Sequence, residues 1–285
     1  MKHFLIYTNQ HKDKGMATTD RIKEYLKSRG QRVTVRVKVP EWKSLPEEEE
    51  PPYPEDADCM IVLGGDGTVL QAARDVRESR IPLIGVNLGT LGYMTEVEPS
   101  RLENALDRLI AGDYTVESRM MLNGRILFRD GSAEEGWSLN DIVISRCGSL
   151  QIIKYNIFVN GQFLNDYSAD GVILTTPTGS TGYNLSAGGP IVEPKARLIT
   201  LTPICSHTLN QRSIILSPED IIEVEIPKGR EGQEQVVEVN FDGSHAVTVR
   251  TGDRIRIAES EKTAEIIQLN QVSFLKVLHK KMSES

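Results

Sequence analysis

The sequence predicts two domains, an N-terminal Rossmann-like α/β domain followed by a C-terminal β-sandwich. Its 285 residues are enough for two hydrophobic cores. Residues 1–117 alternate strand-like and helix-like segments, whereas the following residues form short β-branched runs separated by turns. We therefore expect an α/β domain over residues 1–117 and a sandwich over residues 118–264. Residues 265–285 are expected to form a strand or helix that packs back on the first domain.

The first domain begins with the order strand, helix, strand. Apolar runs and spacings predict strands at Phe4–Tyr7 and Arg32–Val37, with a helix over Thr18–Arg29 between them. CMIVL and IPLIGV read as buried strands joined by a helix over Thr68–Arg77, which favours a parallel sheet covered on both faces. A capping box formed by Ser100 and Glu103 is predicted to start one further helix, which ends at Gly112.

The second domain is predicted from many closely spaced strands. The Asn160-Gly161 pair is a strong hairpin signal. Helical spacing returns over Val272–Met282. The strand-like runs are SLNDIVIS, IIKYNIFVN, GVILTT, LITLTP, IIEVEI, VVEVNF and HAVTVR.

Composition excludes several classes of protein. A net charge of −7 argues against a general nucleic-acid binder, and no apolar run is long enough for a membrane helix. The N-terminus has no secretory leader pattern, so a cytoplasmic location is expected. Cys59, Cys147 and Cys205 lack metal-ligand spacing and are interpreted as buried thiols. The stretch from Pro40 to Asp58, with its four consecutive glutamates, is interpreted as an exposed loop.

A glycine loop with an acid at its centre, GGDG, follows the CMIVL strand. Backbone N–H groups in such loops attract anions, so a carboxylate at Asp66 requires an explanation. The loop has neither the lysine of a Walker A motif nor the last glycine of a dinucleotide fingerprint. One alternative is a tight turn in which Asp66 caps the following helix. The other is a site where Gly64, Gly65 and Gly67 let a ligand approach closely.

Two further loops have the composition of a ligand cradle. NLGTLGY, from Asn87 to Tyr93, follows the next predicted strand, and ligands bind at this edge of open α/β sheets. DGVILTTPTGSTGYNLSAGGPIV, from Asp170 to Val192, contains many hydroxyls and bare N–H groups, which suit sugar hydroxyls and phosphate oxygens. The alternative for this second segment is a solvent-facing polar turn. Asn140 and Asp141 interrupt a strand and are either exposed residues or groups that accept from a ribose and read adenine.

With these segments together, the sequence resembles the NAD kinase family. The resemblance runs in order through GGDGTVLQAAR, PLIGVNLGTLGYMTE, LND, DGVILTTPTGSTGYNLSAGGPIV, LTPICSHTLNQRSIIL and the DGS at Asp242. It implies phosphorylation of the 2′-hydroxyl of the adenosine ribose of NAD by ATP or another phosphate donor. It also implies an active site in a cleft between the two domains, a divalent metal (Mg²⁺ or Mn²⁺), and a homodimer or homotetramer.

The resemblance also implies residue roles. Asp66 would be the general base, with Gly67 beside it; Asn140 and Asp141 would hold the diol and base of NAD, and Asp170 would contact its nicotinamide side. The dinucleotide pocket would be lined by a run of six residues and bordered by Ser168, and the donor phosphates would meet the glycine loops. These remaining residues are Thr181, Gly182, Tyr183, Asn184, Leu185 and Ser186 for NAD, and Gly64, Gly65, Gly67, Thr68, Asn87 and Gly89 for ATP.

Three positions depart from the family pattern. Gly182 stands where alanine is usual, Ser206 precedes His207 where proline is common, and Ser168 stands where some members have a basic residue.

No metal ligand is assigned to the protein, because Mg²⁺ is expected to bind mainly through phosphates. The alternatives are a lipid kinase of the diacylglycerol or sphingosine type, which shares the GGDG loop, and a non-catalytic nucleotide-binding protein.

Overall fold

The computed structural model of the chain describes residues 1–38, 52–89, 92–148, 152–207, 212–270 and 273–283. The chain divides into two compact units, and the division falls within two long strands. Met1–Ser118 and Thr263–Ser285 form unit 1, and Arg119–Lys262 forms unit 2. Some residues used in the sequence predictions lie outside the described ranges: Pro40–Pro51 of the predicted exposed loop, Thr90, Leu91, Thr208–Gln211 and Val272.

The described residues form five α-helices and seventeen strands. The helices are α1 (Ala17–Ser28), α2 (Asp66–Asp75), α3 (Leu102–Ala111), α4 (Tyr183–Ser186) and α5 (Phe274–Ser283). The strands of the first part of the chain are β1 (His3–Thr8), β2 (Arg32–Val37), β3 (Cys59–Gly64), β4 (Leu83–Asn87), β5 (Thr95–Val97), β6 (Thr115–Leu127), β7 (Ala133–Ser138) and β8 (Asp141–Arg146). The later strands are β9 (Ile153–Val159), β10 (Gln162–Ala169), β11 (Gly171–Thr175), β12 (Ile199–Ile204), β13 (Ile214–Leu216), β14 (Ile222–Glu225), β15 (Val236–Phe241), β16 (His245–Arg250) and β17 (Arg254–Gln268).

Unit 1 is built on a parallel sheet. Its strands run in the order β2, β1, β3, β4, with β5 beside β4, and Ile266 of β17 pairs with Leu83 of β4. Every residue of β1 and β3 is buried, as expected for strands covered on both faces. The side chains of α1 and α3 share one hydrophobic core with these strands and with Ile267 and Leu269. The C-terminal segment is therefore part of the core of unit 1.

Two predicted helix starts are wrong. α2 begins at Asp66 rather than at Thr68, with Gly65 as the residue before its first turn. The capping box at Ser100 is absent: α3 begins at Leu102 after a short 3₁₀ turn, and the Ser100 hydroxyl bonds the Glu98 carboxylate instead. Pro99 at the start of that turn explains the shift, because proline fits a first helical turn and moves the start of the helix.

Unit 2 is an antiparallel sandwich. One sheet has the order β13, β12, β11, β8, β15, β16; the other contains β10, β9, β14 and β17, together with the β6–β7 hairpin. Inward-facing side chains of both sheets form a single core around Tyr155 and Phe241. The predicted fold class, an α/β domain and a β-sandwich, is confirmed. Because β8 and β11 are central strands of the first sheet, the chain segments at their ends are held rigidly.

Smaller predictions have mixed outcomes. Asn160 and Gly161 form the predicted hairpin turn, with φ of 52° and 76°. The three cysteines are free thiols, but only Cys59 is buried; Cys147 and Cys205 are exposed, so their predicted burial is wrong. Both lie just past the end of a buried strand, where the chain returns to the surface. Within the described ranges, no helix has the length and apolarity needed to cross a membrane.

Candidate active site

Asp66 lies at the first turn of α2, directly after the buried strand β3. The positive end of a helix dipole favours a carboxylate at this point, and the first N–H groups of the helix have no partner within the helix. The glycine that ends β3 permits this tight turn. A Cβ on Gly64 would lie only 2.3 Å from the Thr68 hydroxyl, so a larger residue there would displace the start of α2.

The Asp66 carboxylate binds the loop that follows β4. Oδ2 accepts the backbone N–H of Tyr93 at 2.8 Å, and Oδ1 accepts that of Met94 at 3.0 Å. The helix cap that the sequence allowed as an alternative is not formed, since α2 has no side-chain cap hydrogen bond. Gly92 is required for this contact, because a Cβ there would lie 2.1 Å from Asp66 Oδ1. Asp66 is therefore oriented by two hydrogen bonds, and each oxygen keeps a further lone pair.

The loop that binds Asp66 is itself covered by α5. The ring of Phe274 lies 6.0 Å from that of Tyr93, and the Lys281 ammonium lies 4.5 Å from the Tyr93 ring centre. Burial, and then the negative charge of Asp66, raise the pKa of the Tyr93 phenol. The C-terminal helix thus supports the loop whose backbone orients Asp66.

The predicted phosphate loops lie together in unit 1. The Leu88 N–H donates to the Gly64 carbonyl at 2.9 Å, so the segment after β4 is bound to the end of β3. Asn87 accepts the Gly89 N–H in an Asx turn at 2.9 Å. Gly67 is exposed, whereas Thr68 is buried and packs against Gly64. Lys12, which the sequence analysis missed, brings its ammonium 3.6 Å from the position of a Cβ on Gly89.

In unit 2, Asn140 and Asp141 lie at the turn that enters β8. The carbonyl groups of this turn are held by the end of β11: the Thr176 N–H and the Thr175 hydroxyl donate to the Asn140 carbonyl at 2.9 and 3.0 Å. The Thr176 hydroxyl donates to the Leu139 carbonyl at 2.6 Å. The two side chains are thus presented by a fixed backbone rather than by an exposed strand face.

Both side chains at this turn have unusual environments. Asn140 Oδ1 is buried, and it has no hydrogen-bond partner in the part of the chain that the structure describes. Such an acceptor is energetically unfavourable unless a donor binds it. Burial, together with the nearby charge of Asp242, raises the pKa of the Asp141 carboxyl to about 7. An unsatisfied acceptor beside a perturbed carboxyl is typical of a binding site.

The first part of the segment after β11, Thr176–Ser180, is buried, which does not fit a solvent-facing turn, whereas most of the residues from Thr181 to Val192 are half-buried or exposed. Thr178–Thr181 form a 3₁₀ turn whose first three residues are buried, and α4 follows after Gly182. The position of a Cβ on Gly182 is 3.6 Å from Asn140 Nδ2 and 4.0 Å from Asp141 Oδ2. Thr181 and Gly182 are half-buried, and Tyr183, Leu185 and Ser186 are exposed. This run is therefore adjacent to the Asn140 turn.

Asn184 has an internal role instead. Its amide donates to the Ser180 and Pro190 carbonyls at 3.1 and 3.0 Å and accepts the Thr202 hydroxyl at 2.7 Å. A Cβ on Gly189 would lie 2.0 Å from its Oδ1, which explains the glycine there. The Asn184 side chain stiffens the segment, so a contact of this residue with a ligand would have to come from its backbone.

Asp170 and Ser168 lie at the other end of β11. Gly171 pairs with Ser145 and Thr175 with Asp141, so the whole length of β11, four residue steps or roughly 13 Å, lies between the two groups. Asp170 accepts a hydrogen bond from Arg146 Nε at 3.0 Å, a partner that was not predicted from the sequence. The Ser168 carbonyl accepts the N–H of the exposed His207 at 3.0 Å. The predicted NAD residues of unit 2 therefore form two groups, one at each end of a rigid strand.

Among the described residues, no group of three or more His, Cys, Asp or Glu side chains could hold a metal ion. The described residues therefore offer no such set of side chains for a metal held by the protein alone.

Comparisons with known proteins agree over nearly the whole chain. Residues 4–114 match the family model for the ATP-NAD kinase N-terminal domain, and residues 139–269 match that for the ATP-NAD kinase C-terminal domain. The NAD kinase of Agathobacter rectalis is 46% identical over 282 residues, 99% of both chains. That of Lachnospira eligens is 43% identical and covers 99% of this chain and 100% of its own.

Two solved structures resemble the chain. Yeast NADH kinase complexed with NADH has a TM-score of 0.88 and 25% identity, covering 99% of this chain and 88% of its own. An NAD kinase from Archaeoglobus fulgidus in complex with ATP has a TM-score of 0.78 and 26% identity, covering 100% of both chains. These matches do not favour the lipid kinase alternative.

Proposed function

The chain belongs to the NAD kinase family, and from this premise we propose that it transfers the γ-phosphate of ATP to the 2′-hydroxyl of the adenosine ribose of NAD, with Asp66 as general base. The observation that carries the role of Asp66 is its orientation. Its carboxylate is fixed by the N–H groups of Tyr93 and Met94 and keeps free lone pairs. A carboxylate that is held in this way can orient a hydroxyl nucleophile and accept its proton.

The chemistry requires little else from the side chains. Phosphoryl transfer depends on an in-line nucleophile and on neutralisation of phosphate charge. A ribose hydroxyl is weakly acidic, so a positioned base is worth roughly 10² to 10⁴ in rate. In this proposal Asp66 acts on the hydroxyl, and the N–H groups of the first turn of α2, which have no partner within the helix, bind the phosphates.

For the adenosine end of NAD, we propose Asn140 and Asp141. The buried and unsatisfied Asn140 Oδ1 supports a contact with a donor such as the amino group of adenine. Asp141, in its ionised form, would accept a hydrogen bond from a ribose hydroxyl. The half-buried Thr181 and Gly182 are adjacent, and the exposed Tyr183, Leu185 and Ser186 would border the same pocket.

For the nicotinamide end, we propose Asp170, with Ser168 beside it. The length of β11 between the two groups, roughly 13 Å, supports a ligand that has a nucleoside at each end, because a mononucleoside would engage only one of the two groups. Arg146 would orient the Asp170 carboxylate through its hydrogen bond from Nε.

For the donor, we propose the glycine loops of unit 1, formed by Gly64, Gly65 and Gly67 and by the turn from Asn87 to Gly89. Thr68 would pack against Gly64 rather than contact the phosphates. Mg²⁺ or Mn²⁺ would arrive as the counter-ion of the donor phosphates. It would neutralise their charge there, without a dedicated set of protein ligands.

Product formation from NAD tests the proposal. The purified protein would be incubated with Mg²⁺, NAD or NADH, and ATP, other triphosphates or polyphosphate, and NADP would be detected with a dehydrogenase that accepts only NADP. NADP should form, and Asp66→Asn should bind NAD normally while losing about 10²-fold or more in kcat. An Asn variant with near-normal turnover would remove Asp66 from the mechanism.

We also propose a homo-oligomer in the cytoplasm. Phe163 and Ile215 are each 58% exposed, on strands β10 and β13 at the edges of their sheets, and apolar edge strands are suited to pairing with a second copy. Free thiols at Cys147 and Cys205 support a reducing compartment. Light scattering of the wild-type chain and of Phe163→Glu tests the first proposal: the variant should have the lower mass.

A further inference from the structure

Asp242 makes an unusual set of contacts with the turn that presents Asn140 and Asp141. Its Oδ2 accepts the N–H of Leu139 at 2.8 Å, and its Oδ1 accepts those of Asn140 and Asp141 at 2.9 and 3.1 Å. Its own N–H donates to the Asp141 carbonyl at 3.1 Å. One residue, about a hundred positions away in sequence, therefore bonds three consecutive N–H groups.

The backbone at Asp242 is also unusual. Its φ is +50°, in the left-handed region that residues other than glycine seldom adopt. Asp242 immediately follows β15, and Phe241 of that strand is fully buried in the core of unit 2. A strained conformation persists only where surrounding contacts fix it. Here those contacts join the end of β15 to the start of β8.

We propose that Asp242 is a positioning residue that determines the affinity for NAD by holding the Leu139–Asp141 turn, without touching the dinucleotide. This inference rests on the proposed function, which assigns the adenosine end of NAD to that turn. Asp242 holds the N–H side of the turn, and the end of β11 holds its carbonyl side through Thr175 and Thr176. With both sides fixed, the side chains of Asn140 and Asp141 have one orientation before the ligand arrives.

Removing the carboxylate would release the turn on one side. In Asp242→Asn, the amide nitrogen would face at least one backbone N–H, and that N–H would lose its acceptor. The turn would then sample other positions, and NAD would have to restore the bound one. The effect should fall on NAD binding, because Asp66 and the phosphate loops belong to unit 1 and are not bonded to Asp242 by any of these contacts.

The chain offers a matched control in Asp253. It is 3% exposed, lies in unit 2, and also accepts two backbone N–H groups, from Arg129 at 2.9 Å and Arg250 at 2.7 Å. Asp253→Asn therefore removes a carboxylate that also binds backbone N–H groups, at a more buried position than the half-buried Asp242, from a turn that holds no proposed ligand contact. Asp253→Asn should lose at least as much thermal stability as Asp242→Asn, which separates a general loss of folding from a loss of positioning.

The experiment measures the Kd of NAD by calorimetry and the steady-state kcat and KM for NAD and ATP, for both variants and the wild type. Asp242→Asn should raise the Kd and KM for NAD about tenfold or more, while kcat at saturating NAD and the KM for ATP change less than about threefold. Asp253→Asn should leave the Kd for NAD unchanged. Removing the charge beside Asp141 should also shift the pH midpoint of NAD binding downward in Asp242→Asn only.

Three outcomes would overturn the inference: a Kd for NAD within twofold of wild type in Asp242→Asn, an equal rise in both variants, or an unchanged pH midpoint. If Asp242→Asn does not fold, Thr176→Val keeps the idea testable, since it removes the hydroxyl that holds the Leu139 carbonyl on the other side of the turn. It should raise the Kd for NAD with no change in the pH midpoint, and a normal Kd would count against positioning. A wild-type chain that neither binds NAD nor forms NADP would instead refute the proposed function.

Discussion

The pH of the solution should control both the free energy of unfolding of unit 2 and its affinity for NAD through a single carboxyl, that of Asp141. Burial and the charge of Asp242 raise its pKa to about 7 in the folded chain, against an ordinary value of 3.8. Between these two values the folded state holds a proton that the unfolded state has released. The free energy of unfolding therefore falls as pH rises through this window, and this contribution is lost fully only above about pH 7.

The size of the effect follows from the pKa difference. Three units correspond to about 4 kcal/mol in total, of which about 2.5 kcal/mol falls between about pH 5 and about pH 8. Urea unfolding of the wild type and of Asp141→Asn over this range measures it, because the variant has no titrating group at this position. The difference in unfolding free energy between the two proteins should change by about 2.5 kcal/mol in favour of the variant as pH rises.

Binding should show the opposite dependence on pH. If a ribose hydroxyl donates to ionised Asp141, NAD binds only after the proton leaves, so affinity falls as pH falls. From about pH 8 to about pH 6 the Kd for NAD should rise about tenfold for the wild type. It should stay nearly constant for Asp141→Asn. A wild-type Kd that is flat over this range, or a stability difference that does not vary with pH, would refute the assignment of Asp141.

Three further predictions concern individual side chains. Gly92→Ala should displace Asp66, because the new Cβ would lie 2.1 Å from its Oδ1; kcat should fall about 10²-fold with the Kd for NAD preserved. In an Asp66→Ala background the same change should destabilise the chain less but should not be neutral, because the Cβ would also lie 2.7 Å from the Thr95 hydroxyl; a double-mutant cycle by urea unfolding measures the difference. If the ammonium of Lys12 beside Gly89 contacts the donor, Lys12→Met should raise the KM for ATP about tenfold and leave the KM for NAD unchanged. A KM for ATP equal to that of the wild type would exclude the contact. Gly182→Ala should have a free energy of unfolding within about 1 kcal/mol of the wild type in thermal unfolding, because its Cβ would closely meet only the Gly179 carbonyl, at 3.2 Å. A loss of several kcal/mol would show that the turn has no room for this Cβ.

The fold was predictable because its signals are local. Fully apolar runs predicted β1 and β3, and the Asn160-Gly161 pair predicted the turn between β9 and β10. The start of α3 was wrong because two side chains with capping-box spacing compete with a proline that begins an earlier turn. A sequence pattern indicates which hydrogen bonds a side chain is able to make, whereas the backbone conformation determines which of them is formed.

The candidate site was predictable only in part, for the same reason. The acid at Asp66 and the polar pair at Asn140 and Asp141 stand out as exceptions to their surroundings. The residues that bind these side chains or their backbone do not stand out in the sequence. Tyr93 binds Asp66 through its backbone N–H, which every residue except proline possesses, and Asp242 reaches Asn140 from about a hundred positions away. Contacts made by the backbone, or across a long sequence separation, leave no local signature.

The composition of unit 1 from two separate stretches of sequence has a consequence for synthesis. Ile267 and Leu269 belong to its core, and α5 covers the Tyr93 loop, yet these residues are translated after the whole of unit 2. The ribosome therefore begins unit 1 first and completes it last. A nascent chain would carry a finished sandwich while the parallel sheet still lacked its final segment, and a premature stop near the end of the message would remove the support of the Asp66 loop.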